Sequence, residues 1–581
     1  MWDGRIDNAW LIDGSGEAGR TASVAWKDGR IAAVGENLGP ARQTLDAQGL
    51  WLTPGFVDIH THYDGQATWD PCFTPSIYHG VTTLVMGNCG VGFAPKRPGH
   101  EQDLIELMEG VEDIPGAALH EGIRWNWNSF PEYMSALEAT SRSLDYLVQV
   151  PHDPLRMAVM GERARAHELA TAEDIAAMQA LLREALEAGA VGWSTGRSDN
   201  HRTSRGHDTP AANAHADELA GLAGAFQGLS HGVIQVVSDF NLLQGPATFD
   251  AEFDLVERMA EASGKRLSMT WLQRDPGGEQ YQRIQSRVEA AVARGLPLYL
   301  QTAARGIGVL IGLEASFHPF MGFPSYKEIA HWPLAERVVA LREPERRARI
   351  LSETSERLAG DGSAIPPLVD LLLARIDQVS GRMFPLGETL DYEPTVMQSF
   401  LVRARQAGTT PLAALYDHLC AGTGEGLIYF PIFNYNQGSL EVVREMLAHP
   451  RALLGLSDAG AHVGTVCDAS FNTFMLTHWV QRRESMGLPQ AVEMMSRRNA
   501  QYLGLHDRGL IAPGLRADFN LIDPARLSVG VPRLERDLPA GGKRFVQRAE
   551  GYVGTWVAGE QVMDQGRITE ARPGRLVRMG H

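Results

Sequence analysis

The stretch Gly55-Phe-Val-Asp-Ile-His-Thr-His-Tyr-Asp64 decides how this chain is read. An apolar run from Phe56 to Ile59 ends in two histidines one residue apart. In a strand, residues i and i+2 point to one face, so His60 and His62 can converge on a single ion. Spacing alone is a modest signal, since 19 His in 581 residues give roughly 0.6 such pairs by chance. Position strengthens it: the pair closes an apolar strand at its C-terminal end, where the sites of (β/α)8 barrels lie. The competing reading is a pair of histidines at the edge of a core.

Outward from this stretch, strand and helix alternate. The clearest helix runs from Ala172 to Glu187, with Thr171 as cap, Asp174 at the capping-box position and Gly189 to close it. The strand Val191 to Ser194 follows at once, and the same rhythm recurs at Phe253 to Ala262, Gly264 and Leu267 to Trp271. Eight short apolar runs qualify as strands: Phe56–Ile59, Thr82–Met86, Tyr146–Val150, Val191–Ser194, Val233–Val237, Leu267–Trp271, Leu298–Leu300 and Leu453–Leu456. Eight strands alternating with helices predict an α/β fold, a parallel (β/α)8 TIM barrel over residues 55–504. Residues 305 to 450 are too many for one crossover and hold helical stretches such as Leu334–Leu341 and Pro367–Leu373, so an inserted helical lid is expected there. The two ends, 1–54 and 505–581, read as short strands and Asp-Gly turns. Neither end is long enough for a core of its own, so both are expected to build one small β-sandwich domain.

Composition narrows the function. Asp plus Glu (70) exceed Lys plus Arg (53), for a net charge of −17. That sign disfavours nucleic acid and anionic membrane as partners. Four scattered cysteines make no disulfide framework, the N-terminus MWDGRIDNAW carries charges where a signal peptide needs apolar residues, and no run is long enough to span a bilayer. These features predict a cytoplasmic protein acting on a small molecule, alone or as a homo-oligomer.

Two further residues suit the chemistry of an ion at His60 and His62. Cys89, in Met86-Gly-Asn-Cys-Gly-Val-Gly92, sits in a tight turn after the second strand, and a thiolate ligates zinc well. The alternative is a small buried residue in a turn. Asp458, in Leu454-Gly-Leu-Ser-Asp-Ala-Gly-Ala-His462, ends the eighth strand. A carboxylate there can reach the same ion, accept a proton from the attacking water and pass it to a leaving nitrogen. The alternative is a helix N-cap.

The tract from His60 through Gly92, with Asp64, Trp69 and His79-Gly-Val-Thr-Thr83, resembles the N-acyl-D-amino-acid deacylases of the amidohydrolase superfamily. So do Pro151-His-Asp-Pro-Leu-Arg-Met157, Gly192-Trp-Ser-Thr-Gly196, Arg508-Gly-Leu-Ile-Ala-Pro-Gly-Leu-Arg-Ala-Asp518 and Asp13-Gly14. The resemblance covers nearly the whole chain. It implies a barrel with a small sandwich built from both termini, zinc-activated water attacking an amide, and metal or proton-transfer roles for His60, His62, Cys89 and Asp458. It also implies histidines at the ends of strands five and six. Here those tracts read Gly232-Val-Ile-Gln-Val-Val-Ser-Asp239 and Leu267-Ser-Met-Thr-Trp-Leu-Gln273, with Val237 and Trp271 at the expected ligand positions. Gln273 stands where the family often has a lysine, and Gln301 where it has an aromatic residue.

One divalent ion, zinc by this resemblance, is therefore expected on the His60/His62/Asp458 side, with Cys89 as a further donor. His152 after strand three and His201 and His207 after strand four are expected as substrate-facing or solvated loop residues. Arg197, Arg202, Arg205 and Arg305 are candidates to clamp a substrate carboxylate. Trp271 is expected as an apolar wall of the pocket, beside Gln273. The function expected is hydrolysis of a non-peptide amide C–N bond in a small, N-acyl amino acid-like molecule. The alternatives are a related enzyme acting on a cyclic amide or amidine, and a barrel that binds a small ligand without turnover.

Overall fold

The computed structural model describes residues 1–240, 246–274, 279–359, 365, 367–387 and 390–580. Its centre is an eight-stranded parallel sheet: β1 (Phe56–Asp58), β2 (Val81–Met86), β3 (Asp145–Pro151), β4 (Gly192–Arg197), β5 (Val233–Ser238), β6 (Arg266–Thr270), β7 (Leu298–Thr302) and β8 (Ala452–Leu454). Neighbours in sequence are neighbours in space from β1 to β8. The ring is drawn shut by a bridge between Thr61 and Ala459, with His62 N donating to Ala459 O at 2.8 Å. All eight strand positions read from the apolar runs are present, because a parallel strand covered by helices must be apolar along its length. The floor of the barrel is filled by Val57, Val85, Leu147, Val191, Val233 and Leu453.

The helix Ala172–Glu187 begins with the expected capping box, Thr171 Oγ1 accepting from Asp174 N at 3.2 Å and Asp174 Oδ2 from Thr171 N at 2.9 Å. Such a cap contributes about 1 kcal/mol. The helix buries Met178, Leu182, Ala185 and Leu186.

The two chain ends share one nine-stranded sheet. Trp51–Pro54 lies between Trp2–Leu11, which it pairs in parallel, and Phe519–Ile522, which it pairs antiparallel. Trp26, Phe519 and Trp556 form its aromatic core, with centroids 5.1 to 6.4 Å apart. The chain passes from this sheet into β1 through Gly55, where a Cβ would lie 2.1 Å from Thr82 Oγ1. Only glycine fits between sheet and barrel at that point.

The insertion between β7 and β8 contains the helices Leu334–Leu341 and Pro367–Ala374. It also contains a three-stranded antiparallel sheet, with Leu427–Phe433 between Ile307–Ile311 and Phe384–Leu386. The expectation of a helical lid missed this sheet, whose apolar runs are too short to be told from helix by periodicity. The insertion has its own core around Phe320, Leu415, Tyr416 and Ile428. It touches the barrel mouth at three places: Ser316 Oγ donates to Asp113 Oδ1, Asn434 N to Gln273 O, and Leu310 N to Thr465 O. Among the described residues no helix is long and apolar enough to cross a membrane.

Candidate metal centre

At the C-terminal rim of β1, His60 and His62 turn their rings into the barrel mouth, with centroids 5.5 Å apart. Cys89 joins them from the turn after β2. One ligand atom each of His60, His62 and Cys89 falls within 4.8 Å of the others, and all three residues are buried. His60 Nε2 is 3.2 Å from Cys89 Sγ.

The Cys89 turn is built for close approach. Cys89 itself has φ +59°, flanked by Gly87 at +82° and Gly90 at +80°. A Cβ on Gly87 would lie 2.2 Å from Gln149 O, and one on Gly90 2.7 Å from Gly196 N. Cys89 N donates to Gln235 Oε1 at 2.7 Å, which ties the turn to β5.

Asp458 completes the set from the loop after β8. Its Oδ1 lies 3.3 Å from His60 Nε2 and 3.7 Å from His62 Nε2. The far nitrogens of the two histidines face side-chain oxygens, one in a hydrogen bond and the other at ion-pair distance. Gln301 Oε1 is 2.6 Å from His60 Nδ1, and Glu112 Oε1 is 3.3 Å from His62 Nδ1. Both Nε2 atoms face Asp458, and that of His60 also faces Cys89, the side from which an ion would be bound.

The electrostatics agree. Burial pushes the His60 imidazolium down to about 4, so this ring is neutral at physiological pH. Burial would do the same to His62, but the charge of Glu112 and hydrogen bonding to Asp458 and Cys89 raise it well above its ordinary value. Burial pushes the Cys89 thiol up to about 12, against the pull of His62. Burial also works against ionisation of Asp458, yet hydrogen bonding to His62 and the surrounding imidazoles hold it well below the usual carboxylate range. Positive charge is thus favoured at the point where these donors meet. A divalent cation fits two imidazoles, a thiol and a carboxylate in that arrangement.

The other expected site residues are placed as follows. His201 faces the centre: burial and the nearby His462, His62 and Arg274 pull it down to about 3, and its buried Nδ1 has no hydrogen-bond partner. Gln273 is buried just after β6, where its backbone N donates to Asn434 Oδ1 at 2.8 Å and its Nε2 has no hydrogen-bond partner. It joins barrel to insertion.

Three expectations are corrected. His152 does not face the mouth, since Nδ1 pairs with Thr195 Oγ1 at 2.9 Å and Nε2 with Glu218 Oε1 at 3.0 Å. Arg305 is no clamp for a substrate carboxylate. Its guanidinium is fully buried, pairs with Asp468 at 2.9 Å and lies over Tyr392, Phe471 and Phe474. Trp271 is no pocket wall. Ser268, which accepts from Gln301 Nε2 at 2.8 Å, sets the inward face of β6, so Thr270 points inward and Trp271 outward. The indole donates to Tyr281 O at 2.9 Å and packs on His449 at 5.5 Å, in the helical layer.

On β5 the inward residues are Gln235 and Val237, and on β6 they are Ser268 and Thr270. Neither strand therefore turns a histidine into the mouth. Sequence reasoning missed Glu112, whose carboxylate lies between His62 and His462. The acid pair Glu112-Asp113 at the end of an amphipathic helix was the available signal, because acids are disfavoured at a helix C-terminus.

A model described as the amidohydrolase family matches residues 43–563. The N-acyl-D-aspartate deacylase of Alcaligenes xylosoxydans xylosoxydans is 26% identical over 584 residues, covering 99% of this chain and 95% of that protein. The D-aminoacylase of the same organism is 38% identical over 210 residues, covering 36% of this chain and 39% of that protein. The solved structure of N-acyl-D-glutamate deacylase from Bordetella bronchiseptica, complexed with zinc and a phosphonate inhibitor, shares 25% identity over 100% of both chains at a TM-score of 0.64. A D-aminoacylase structure shows the same fold at TM-score 0.64 and 22% identity, over 100% of both chains. With nine-tenths of its length matched by the family and a barrel whose mouth gathers His60, His62, Cys89 and Asp458, the chain belongs to the amidohydrolase family.

Proposed function

We propose that this protein hydrolyses the amide bond of an N-acyl amino acid or a close relative of one, using a single divalent ion held by His60, His62, Asp458 and Cys89. One observation carries the reading: these four donors meet at the barrel mouth, with Gln301 hydrogen-bonded to the far nitrogen of His60 and Glu112 at ion-pair distance from that of His62. Zinc is the ion of choice, from the His/His/Cys/Asp donor set and from the zinc in the glutamate deacylase complex. When bound, the ion supplies Lewis-acid polarisation of the scissile carbonyl. Asp458, kept ionised by its neighbours, takes the proton of the attacking water and delivers it to the leaving nitrogen. His201, neutral and with a free buried Nδ1, is positioned to hydrogen-bond the substrate. The insertion, tied to the loops after β2, β6 and β8, shields the reaction from solvent. The N-acyl-D-amino-acid substrates of the named relatives are the first to test. All four cysteines are free, which suits a reducing, cytoplasmic setting.

The experiment is an assay of amino-acid release from a panel of N-acyl-D- and N-acyl-L-amino acids, before and after chelation and zinc reloading. Hydrolysis that disappears on chelation and returns with zinc is expected. Turnover unaffected by complete metal removal, or none on any amide in the panel, would overturn the reading.

A further inference from the structure

Glu112 is the last residue of the helix Glu101–Glu112 and is only 1% exposed. Its place is unfavourable twice over. A buried carboxylate loses its hydration, and a helix C-terminus already carries negative partial charge. Asp113 follows it in a left-handed conformation, φ +49°, which adds a second acid at the same helix end. An acid retained against both effects needs a compensating partner, and two imidazoles supply it.

Glu112 Oε1 lies 3.3 Å from His62 Nδ1, which is buried with no hydrogen-bond partner, and Glu112 Oε2 lies 3.6 Å from His462 Nε2, so both contacts are ion pairs. The main chain makes the same connection, with His462 N donating to Glu112 O. One carboxylate thus spans from β1, through His62, to the loop after β8 that carries Asp458. Asp113 anchors the helix end from the other side, accepting from Ser316 Oγ at 2.8 Å and Thr465 Oγ1 at 3.1 Å. No other described acid faces His62 Nδ1 at this range, since Asp458 approaches its Nε2.

We infer that Glu112 is a positioning residue of the metal centre: it holds the His62 ring with Nε2 toward the ion and, through His462, sets the loop bearing Asp458. This rests on the proposed ion at His60 and His62. Carboxylates in this relation to a histidine ligand typically strengthen metal binding by ~10–100-fold.

The test measures zinc affinity of the full-length protein by chelator competition, for wild type, Glu112→Ala, Glu112→Gln and Asp113→Asn. Glu112→Ala is expected to weaken zinc by ~10–100-fold. Glu112→Gln keeps an acceptor but not the charge, and a loss of ~3–10-fold is expected. Asp113→Asn, which changes the same helix end, keeps an acceptor for Ser316 and Thr465 and does not face His62, should stay within about twofold of wild type. Should Glu112→Ala not fold, Glu112→Gln against Asp113→Asn carries the comparison. Wild-type affinity in the Glu112 variants, or an equal loss in Asp113→Asn, overturns the inference and leaves the proposed function standing. A wild type that binds no zinc overturns both.

Discussion

Gln301 Oε1 stands 2.6 Å from His60 Nδ1, while Gln301 Nε2 donates to Ser268 Oγ at 2.8 Å. The amide of Gln301 is therefore fixed with its oxygen toward the histidine, and His60 must carry its proton on Nδ1. A residue on β7 thus chooses which nitrogen on β1 is free for the ion.

This arrangement predicts that Gln301→Leu lowers metal affinity by ~10–100-fold, because His60 loses both its tautomer and its orientation. Zinc titration of the purified variant checks it. Unchanged affinity would show that the hydrogen bond does not control His60.

Asp458→Asn, assayed at saturating zinc, is expected to lower kcat by ~100-fold or more with KM nearly unchanged, since the amide cannot take up the proton. A rise in KM alone, with kcat intact, would place Asp458 in substrate binding instead.

Arg305→Met is expected to cost about 3–5 kcal/mol of stability, because Asp468 would be left buried without its partner. Thermal melts and steady-state kinetics read it together. A normal melt with a raised KM would restore Arg305 as a substrate clamp.

A pH effect follows from the buried set His152, Arg156 and Glu218. Burial opposes ionisation of Glu218, but the hydrogen bond from His152 and the charge of Arg156 hold its carboxyl down to about 2, against an ordinary 4.5. A folded-state value below the unfolded one means stability that is fully present above pH 4.5 and lost as pH falls through about 2. Denaturant midpoints of Glu218→Gln should be lower at neutral pH and less steep in acid than those of wild type. Parallel profiles would contradict this.

Much of the architecture was legible because its cause is local. The eight barrel strands announce themselves as short apolar runs, and the capping box at Thr171 and Asp174 is a pattern of four residues. That His60, His62, Cys89 and Asp458 would come together at the barrel mouth was legible for the same reason, each at the C-terminal end of a strand or in the turn after it. What escaped depends on which way a side chain turns. Trp271 lies at the strand end where a ligand was expected, yet the period of two sends Thr270 inward and the indole outward. Arg305 follows β7 as a clamp would, but three aromatic rings and Asp468 claim its guanidinium. Glu112 lies 50 residues beyond His62 on a helix, and only the folded chain brings the two together.

Whether one ion binds at one place is measured by anomalous diffraction at the zinc edge, from crystals of zinc-loaded protein. A single peak within ligand distance of His60 Nε2, His62 Nε2 and Asp458 is expected, with about one equivalent of zinc in solution. Two peaks in the barrel mouth, or one bound away from His60 and His62, would contradict it.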